Sequence, residues 1–253
     1  MSLLQLLVLQ FIAHLLADYI FQFIKGAEDK NSNGFQSGFL KWHFLIILAT
    51  SWVLSFQLSF IFGALAISIT HFLIDGSKKY INNYKNLKKY VFFIDQLLHL
   101  IIILSVVILF DKYCGITPLI DISISLKYLL LIAAYILCSK PANIIIKEIF
   151  KAFNIEAPSE GQAQNEGDND LPNAGKLIGN VERFLVLTFI ILNQYEAVGF
   201  LIAAKSILRY KDGDTIKTEY VLIGTMLSFG IAIASGVIIN QLDGWLKVLH
   251  LAV

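Results

Sequence analysis

The sequence is poor in charged residues, which make up 15% of its 253 residues, whereas a soluble globular domain carries roughly 25%. Hydrophobic residues make up 57%, and they occur in long runs and not in amphipathic stripes. The shortage of charge excludes an ordinary soluble domain. The long apolar runs are typical of a helical protein that crosses a membrane several times.

Cysteine is also scarce, because Cys114 and Cys138 are the only two. They provide neither a disulfide framework nor the spacing of a metal knuckle. The net charge of +1 argues against a nucleic-acid partner. The first apolar run lacks a preceding basic segment and a small-residue cleavage site. We therefore expect a retained first span and not a signal peptide.

The apolar runs predict an all-α fold: a polytopic integral membrane helix bundle with about eight transmembrane helices. The predicted spans are 2–24, 42–56, 58–77, 91–110, 125–148, 177–193, 195–210 and 219–241. The second, sixth and seventh of these are short for a crossing, which takes roughly 17–25 residues. Tight turns are expected at 55–57 and 193–196.

A polar, acidic segment rich in Gly and Pro occupies residues 154–174. Because it cannot bury apolar surface, we expect a flexible cytoplasmic linker there. It separates a five-span domain, 1–153, from a three-span domain, 175–253.

Lysine and arginine are distributed unequally over the loops of this eight-span arrangement. Of the 20 such residues, 17 lie on one side and only Lys112, Lys127 and Lys247 lie on the other. The positive-inside rule makes the richer side cytoplasmic. The expected location is therefore a cytoplasmic membrane, with both termini outside.

Three histidine–aspartate pairs occur in the first hundred residues, and a single histidine accompanies them. The members of each pair are four positions apart, so they lie on one face of a helix. In the predicted topology all of these residues fall in the cytoplasmic half of the membrane, where four antiparallel helices could direct them into one cavity. The residues are His14, Asp18, His43, His71, Asp75, Asp95 and His99.

Ionisable groups inside a bilayer are costly and usually mark a functional site. Imidazole and carboxylate together suit a divalent metal, zinc above all, with manganese or iron as alternatives. The set could hold one ion, or two ions roughly 3.5–4 Å apart, with Asp18 or Asp95 as a catalytic general base. Two other interpretations stay open, namely hydrogen-bonded packing pairs and a relay for protons or ions.

The order and spacing of these elements, with Gln22 and Lys25 after the first pair, resemble a bacterial family of polytopic membrane proteins of unknown function. The resemblance covers about residues 10–100 and extends to about 175–228. That family is similar to LexA-regulated, membrane-bound proteins described as metal-dependent hydrolases. The resemblance implies that the seven His and Asp residues are metal ligands.

A second polar cluster lies at the ends of the last three predicted spans. Lys205 and Arg209 are four residues apart on one helix face, within reach of Glu182 or Glu219. Together with Arg183 they form a predicted anion-binding site. An arginine would bind phosphate through two N–H donors of its guanidinium, and the lysine would act as a point charge. The alternatives are a structural ion-pair network and cations that extend to lipid headgroups.

These features favour a metal-dependent hydrolase at the cytoplasmic leaflet. It would act on an ester or phosphoester bond in a membrane lipid or in a small phosphorylated molecule. A proton- or metal-ion-coupled transporter or channel is the second hypothesis, and a non-enzymatic membrane interaction module is the third. The outer halves of the spans hold few polar residues, mainly Ser51, Gln57 and Ser59, which favours a one-sided cavity.

Overall fold

A computed structural model describes residues 1–82, 87–119, 124–156, 174–209 and 215–248, with side chains omitted at 174, 208–209, 215–217 and 243–248. The described residues form helices joined by short turns and contain no strand, which confirms the all-α class. The helices are α1 (Leu3–Leu15), α2 (Ile24–Asn33), α3 (Gly38–Ser55), α4 (Ile61–Ile81), α5 (Val91–Cys114), α6 (Leu126–Leu137), α7 (Lys140–Ala152), α8 (Ala174–Ile191), α9 (Tyr195–Arg209) and α10 (Thr215–Val248).

Five helical segments of the described residues are long and apolar enough to cross a membrane. They are Leu3–Ile20, Gly38–Ser55, Leu58–Ile81, Lys88–Cys114 and Thr218–Leu242. The consecutive helices α6 and α7 are bent by 53° and would add a sixth crossing if they form one broken span. The helix α9 has only 15 residues, and α8 carries Lys176, Glu182 and Arg183. The fold therefore has several candidate spans, and the number eight stays a prediction.

The chain divides into two compact units, 1–136 and 137–253. The predicted domain boundaries stay a prediction, because most of the predicted linker, residues 157–173, lies outside the described residues.

The first unit is built on a ring of four helices, in which α1 and α4 each pack against both α3 and α5. The turn between α3 and α4 is tight, and Phe56 adopts the left-handed conformation there with φ of 54°. Apolar side chains fill the interior of the ring. The buried members of this core are Leu6, Ala17, Ile47, Phe60, Ala64, Ile67, Ile103, Val107 and Phe110.

The short helix α2, which the sequence did not predict, packs against α3 and α4. Two glycines allow this close approach. Gly34 has φ of 56°, and a Cβ placed on it would lie 2.9 Å from the carbonyl oxygen of Gly76 in α4. A Cβ on Gly76 would in turn lie 2.2 Å from the ring of Phe35. Packed in this way, α2 directs Lys30 into the unit, where the residue is 2% exposed.

A network of hydrogen bonds joins α2 to the start of α3. The N-cap residue Ser37 accepts a hydrogen bond from the backbone N–H of Leu40 at 3.0 Å. The carboxylate of Asp29 accepts hydrogen bonds from Ser37, from Asn33 and from the backbone N–H of Phe39. These hydrogen bonds, led by the one from Ser37, lower the pKa of Asp29.

In the second unit α8 packs against α9 and α10, and α7 packs against α10. The turn after α8 is tight, with Asn193 at φ of 58°. Gly236 of α10 allows α10 to approach α8 closely, because a Cβ on this residue would lie 2.5 Å from the side chain of Ile190 in α8.

Candidate metal centre

The first unit brings all seven predicted ligands together at one end of its four-helix ring. This is the end where α1 and α4 finish, where α3 and α5 begin, and against which α2 packs. Each of the seven residues is buried, with at most 6% of its surface exposed. They are His14 of α1, Asp18 just after α1, His43 of α3, His71 and Asp75 of α4, and Asp95 and His99 of α5.

Asp18 lies in a π-helical turn, Leu16–Ile20, that follows α1. Such turns are rare and occur often at functional sites. The Oδ1 atom of Asp18 lies 3.1 Å from Nε2 of His43 and 3.1 Å from Nε2 of His71. Its i,i+4 partner His14 is farther away, with Nδ1 at 3.9 Å from Oδ2. Asp18 therefore links its own helix to α3 and α4 more closely than to His14.

Asp75 is fully buried and lies among three imidazoles. Its Oδ2 atom is 3.5 Å from Nδ1 of His71 and 3.6 Å from Nε2 of His43. Its Oδ1 atom is 3.7 Å from Nε2 of His99. The rings of His71 and His99 stack with centroids 3.6 Å apart, and His99 Nε2 lies 3.2 Å from Oδ1 of Asp95. The three predicted pairs thus form one continuous cluster.

Two lysines that were not predicted as site residues complete the cluster. Lys78 Nζ lies 2.6 Å from Oδ1 of Asp75 and 2.8 Å from Oδ2 of Asp95. Lys30 Nζ lies 2.5 Å from Oδ2 of Asp75. The sequence held a signal for Lys78, because a residue three positions after Asp75 shares its helix face. It held none for Lys30, because α2 is mostly polar.

Gln96 connects four other side chains of the cluster. Its Oε1 atom accepts a hydrogen bond from the hydroxyl of Tyr19 at 2.7 Å and lies 3.1 Å from Nε2 of His14. Its Nε2 atom donates to Asp95 Oδ2 at 3.0 Å and, more weakly, to Asp18 Oδ2 at 3.5 Å. Gln96 and Tyr19 directly follow the predicted ligands Asp95 and Asp18 in sequence, and that adjacency was the available signal.

Several donor atoms of the cluster are buried and make no well-directed hydrogen bond, despite the short distances. They are Nδ1 of His43, both ring nitrogens of His71, Nε2 of His99, and Oδ1 of Asp75 and of Asp95, although Oδ1 of Asp75 is ion-paired with Lys78. Buried polar atoms without such a partner are costly and rare. A bound cation would satisfy them, since imidazole nitrogen and carboxylate oxygen are zinc, iron and manganese ligands.

Three sets of residues each have ligand atoms that all lie within 4.8 Å of one another. The sets are His14, Asp18 and His71; His43, His71 and Asp75; and Asp75, Asp95 and His99. Consecutive sets share His71 or Asp75, so one ion bound centrally, or two neighbouring ions, would both find ligands. The residues present therefore fit a divalent metal.

A small cavity of about 10 Å³ adjoins His14 and His71, which is roughly the space of one water molecule. Its lining includes Gln10 and Ser51, a buried pair one turn away from the cluster. Ser51 Oγ donates to Gln10 Oε1 at 2.6 Å, and Gln10 Nε2 donates to the Ser51 carbonyl at 3.0 Å. Beyond this pair along α1 the interior is apolar, beginning with Leu6.

The predicted anion-binding residues belong to the second unit. Arg183 is 1% exposed, and its guanidinium donates to the carbonyls of Cys138 and Ser139, which lie between α6 and α7. Further acceptors are the side chains of Asn143, Asn180 and Ser228. Lys205 forms an ion pair with Glu182, and the side chain of Arg209 lies outside the described residues. Anion binding by these three residues stays a prediction.

Fold and site together define an α-helical protein with several candidate membrane spans and a buried cluster of histidine, aspartate and lysine. A family model described as a protein of unknown function (DUF3307) matches residues 6–137, which is more than half of the chain. The chain therefore belongs to this family. The matched region contains the whole cluster. No curated protein and no solved structure matches the chain. The matching family model shows no link to the LexA-regulated hydrolases, so the resemblance to them stays a prediction.

Proposed function

We propose that the cluster binds a divalent metal, zinc in first place, and that the protein is a membrane hydrolase. It would hydrolyse an ester or phosphoester bond in a substrate that is a lipid or a small anionic molecule. The observation that carries the proposal is the set of buried nitrogen and oxygen atoms, contributed by helices far apart in sequence, that face one another without well-directed hydrogen bonds.

A bound divalent cation would lower the pKa of a water molecule and polarise the bond to be broken. His71 and Asp75 are the natural central ligands, because each belongs to two of the three sets. Asp95 is the better placed general base, since it lies 3.0 Å from the partly exposed Gln96, whereas Asp18 lies 3.5 Å from Gln96 and between two imidazoles. Gln96 donates to both carboxylates and would hold the base in position.

We place the cluster at the cytoplasmic leaflet of a bacterial inner membrane. Support comes from the end of the ring at which it lies, where Lys78, Lys79, Lys88 and Lys89 accompany the connection between α4 and α5. The positive-inside rule assigns such an end to the cytoplasm. The eight-span arrangement with both termini outside belongs to the same proposal.

Elemental analysis of the purified protein tests the metal. The wild-type protein should hold one or two equivalents of a transition metal, and the double variant His71→Ala, His99→Ala should hold almost none. His250→Ala is the matched control, because His250 is the one histidine outside the His/Asp pattern. Near-zero metal in wild type and double variant alike would refute the proposal.

Ion or proton transport has one observation in its favour, which is that polarity continues from the cluster to Gln10 and Ser51 and to the small cavity beside them. The apolar core opposes it, because the side chains of Leu6, Phe60 and Val107 are fully buried in the interior of the ring. Metal- or pH-dependent flux into proteoliposomes, without turnover of an ester, would favour transport over hydrolysis. The interaction-module hypothesis depends on the linker and is tested by deleting residues 157–173.

A further inference from the structure

Metal ligation alone does not explain why the ammonium groups of Lys30 and Lys78 lie within the cluster. The side chain of Lys30 is 3% exposed and that of Lys78 is 14% exposed. Each binds a different oxygen of Asp75, at 2.5 Å for Lys30 and 2.6 Å for Lys78. The carboxylate of Asp75 therefore lies between two cations, at the centre of the cluster.

The same carboxylate belongs to two of the three possible metal sets. A metal ion that bound Asp75 would compete with both lysines for its oxygens. Lys30 would then lose the carboxylate with which it pairs, and of the two carboxylates beside Lys78 only Asp95 would remain. Buried charges without a partner are strongly unfavourable, so the metal-loaded cluster would need another anion beside Lys30 and Lys78.

The charge balance leads to the same requirement. The three buried carboxylates, with the ammonium groups of the buried Lys30 and the partly exposed Lys78, leave one net negative charge when the imidazoles are neutral. One divalent cation changes this to one net positive charge, and a second cation adds two more. A buried excess of positive charge is compensated by an anionic ligand and not by a neutral one.

The side chains also indicate where an anion would enter. Lys78 and Gln96 are partly exposed, whereas the seven His and Asp residues and Lys30 are buried. Lys78 and Gln96 both contact Oδ2 of Asp95, at 2.8 Å and 3.0 Å. The approach from the surface to the cluster therefore passes Lys78.

We propose that Lys30 and Lys78 form an anion subsite that binds the phosphoryl group of the substrate. This inference rests on the proposed metal-dependent function. Two ammonium groups, each with three N–H donors, match the charge and the several acceptor oxygens of a phosphate dianion. The subsite differs from the anion site predicted around Lys205, because it lies within the His–Asp–Lys cluster itself.

The test measures binding of inorganic phosphate to the zinc-loaded full-length protein in phosphatidylcholine nanodiscs, by titration calorimetry, with zinc content determined on the same samples. Lys78→Met and Lys30→Met should each weaken phosphate binding about tenfold or more, since each removes charge-assisted hydrogen bonds. Lys79→Met is the matched control, a neighbouring lysine of α4 that contacts no carboxylate of the cluster in the described residues. It should bind phosphate like the wild type.

Zinc-loaded wild-type protein without affinity for phosphate, or a zinc-loaded Lys78→Met variant with wild-type affinity, would overturn the subsite and leave the metal proposal standing. A wild-type protein that binds no divalent metal at all would overturn both. If Lys78→Met does not purify as a folded protein, Lys30→Met decides by the same criterion. Lys78→Arg keeps the charge and should retain phosphate binding within about threefold of wild type.

Two sources of the phosphoryl group are separated in a second arm. Nanodiscs that contain phosphatidic acid should weaken the binding of added phosphate if the substrate is a membrane lipid with a terminal phosphate. Unchanged phosphate binding in those nanodiscs assigns the subsite to a soluble phosphomonoester.

Discussion

The ion pair between Lys30 and Asp75 should be worth far more than an exposed pair of the same length. Its Nζ–Oδ2 distance is 2.5 Å, and the two side chains are 3% and 0% exposed. Lys151 and Glu148 provide a matched comparison at 2.5 Å, with 55% and 21% exposure. Removing one partner of a buried pair costs about 3–5 kcal/mol, whereas an exposed pair contributes about 0–1 kcal/mol.

A double-mutant cycle for each pair measures this difference. The variants Lys30→Met, Asp75→Asn and their combination are unfolded reversibly in mixed micelles, alongside Lys151→Met, Glu148→Gln and their combination. We expect Lys30→Met to lose about 3 kcal/mol or more, because it leaves Asp75 with one cation fewer in a buried site. The combined variant should lose less than the sum of its single changes.

We expect burial of α2 against α4 to make this ion pair strongly stabilising. Equal coupling energies in the two cycles, or a loss of unfolding free energy below about 1 kcal/mol for Lys30→Met, would refute that expectation. The measurement needs no metal and no substrate, so it tests the structure of the cluster independently of its function.

Three further predictions concern other parts of the fold. Gly76→Ala should destabilise the protein by about 1–3 kcal/mol and raise hydrogen exchange in α2, because the added methyl group collides with Phe35; Gly38→Ala is the control for an added methyl group, because a Cβ on this helical glycine meets nothing within 4 Å. Asp29 has a lowered pKa in the folded state, so its hydrogen bonds stabilise the protein above the unfolded pKa of about 3.9 and are lost as pH falls through the lowered value. Asp29→Asn should therefore reduce the pH dependence of Tm below about pH 4, and an unchanged profile would contradict this. Arg183→Met should cost about 2 kcal/mol or more, since it removes the guanidinium that donates to the Cys138 carbonyl and to the side chains of Asn143 and Ser228, and a variant as stable as wild type would exclude that role.

The positions of the His and Asp residues were predictable because helix periodicity and span orientation are both readable in sequence. The spacing of His71 and Asp75 fixes a shared face, and alternating spans place the end of α4 beside the start of α5. The tight turns at Phe56 and Asn193 were also predicted and are present. These features depend on local sequence alone.

The two lysines were not predicted as site residues for two different reasons, a helix end placed too early for Lys78 and tertiary packing for Lys30. The sequence prediction ended the third span at residue 77, whereas α4 continues to Ile81 and keeps Lys78 on the face of Asp75. Lys30 reaches the cluster only because Gly34 and Gly76 let α2 approach α4. The predicted number of eight spans depends in part on α8. This helix carries three charged residues within 18 positions, which makes it too polar to count as a candidate span on composition alone.

The π-helical turn at Leu16–Ile20 interrupts the regular α-helix, and this interruption directs Asp18 into the cluster. Deleting one residue there would restore ordinary α-helical hydrogen bonding, and it would rotate Asp18 by about 100° around the helix axis. The carboxylate that joins α1 to His43 and His71 would then face another direction. Outside Asp18 and Tyr19, whose side chains belong to the cluster, this short stretch should therefore tolerate exchanges of side chain far better than changes of length.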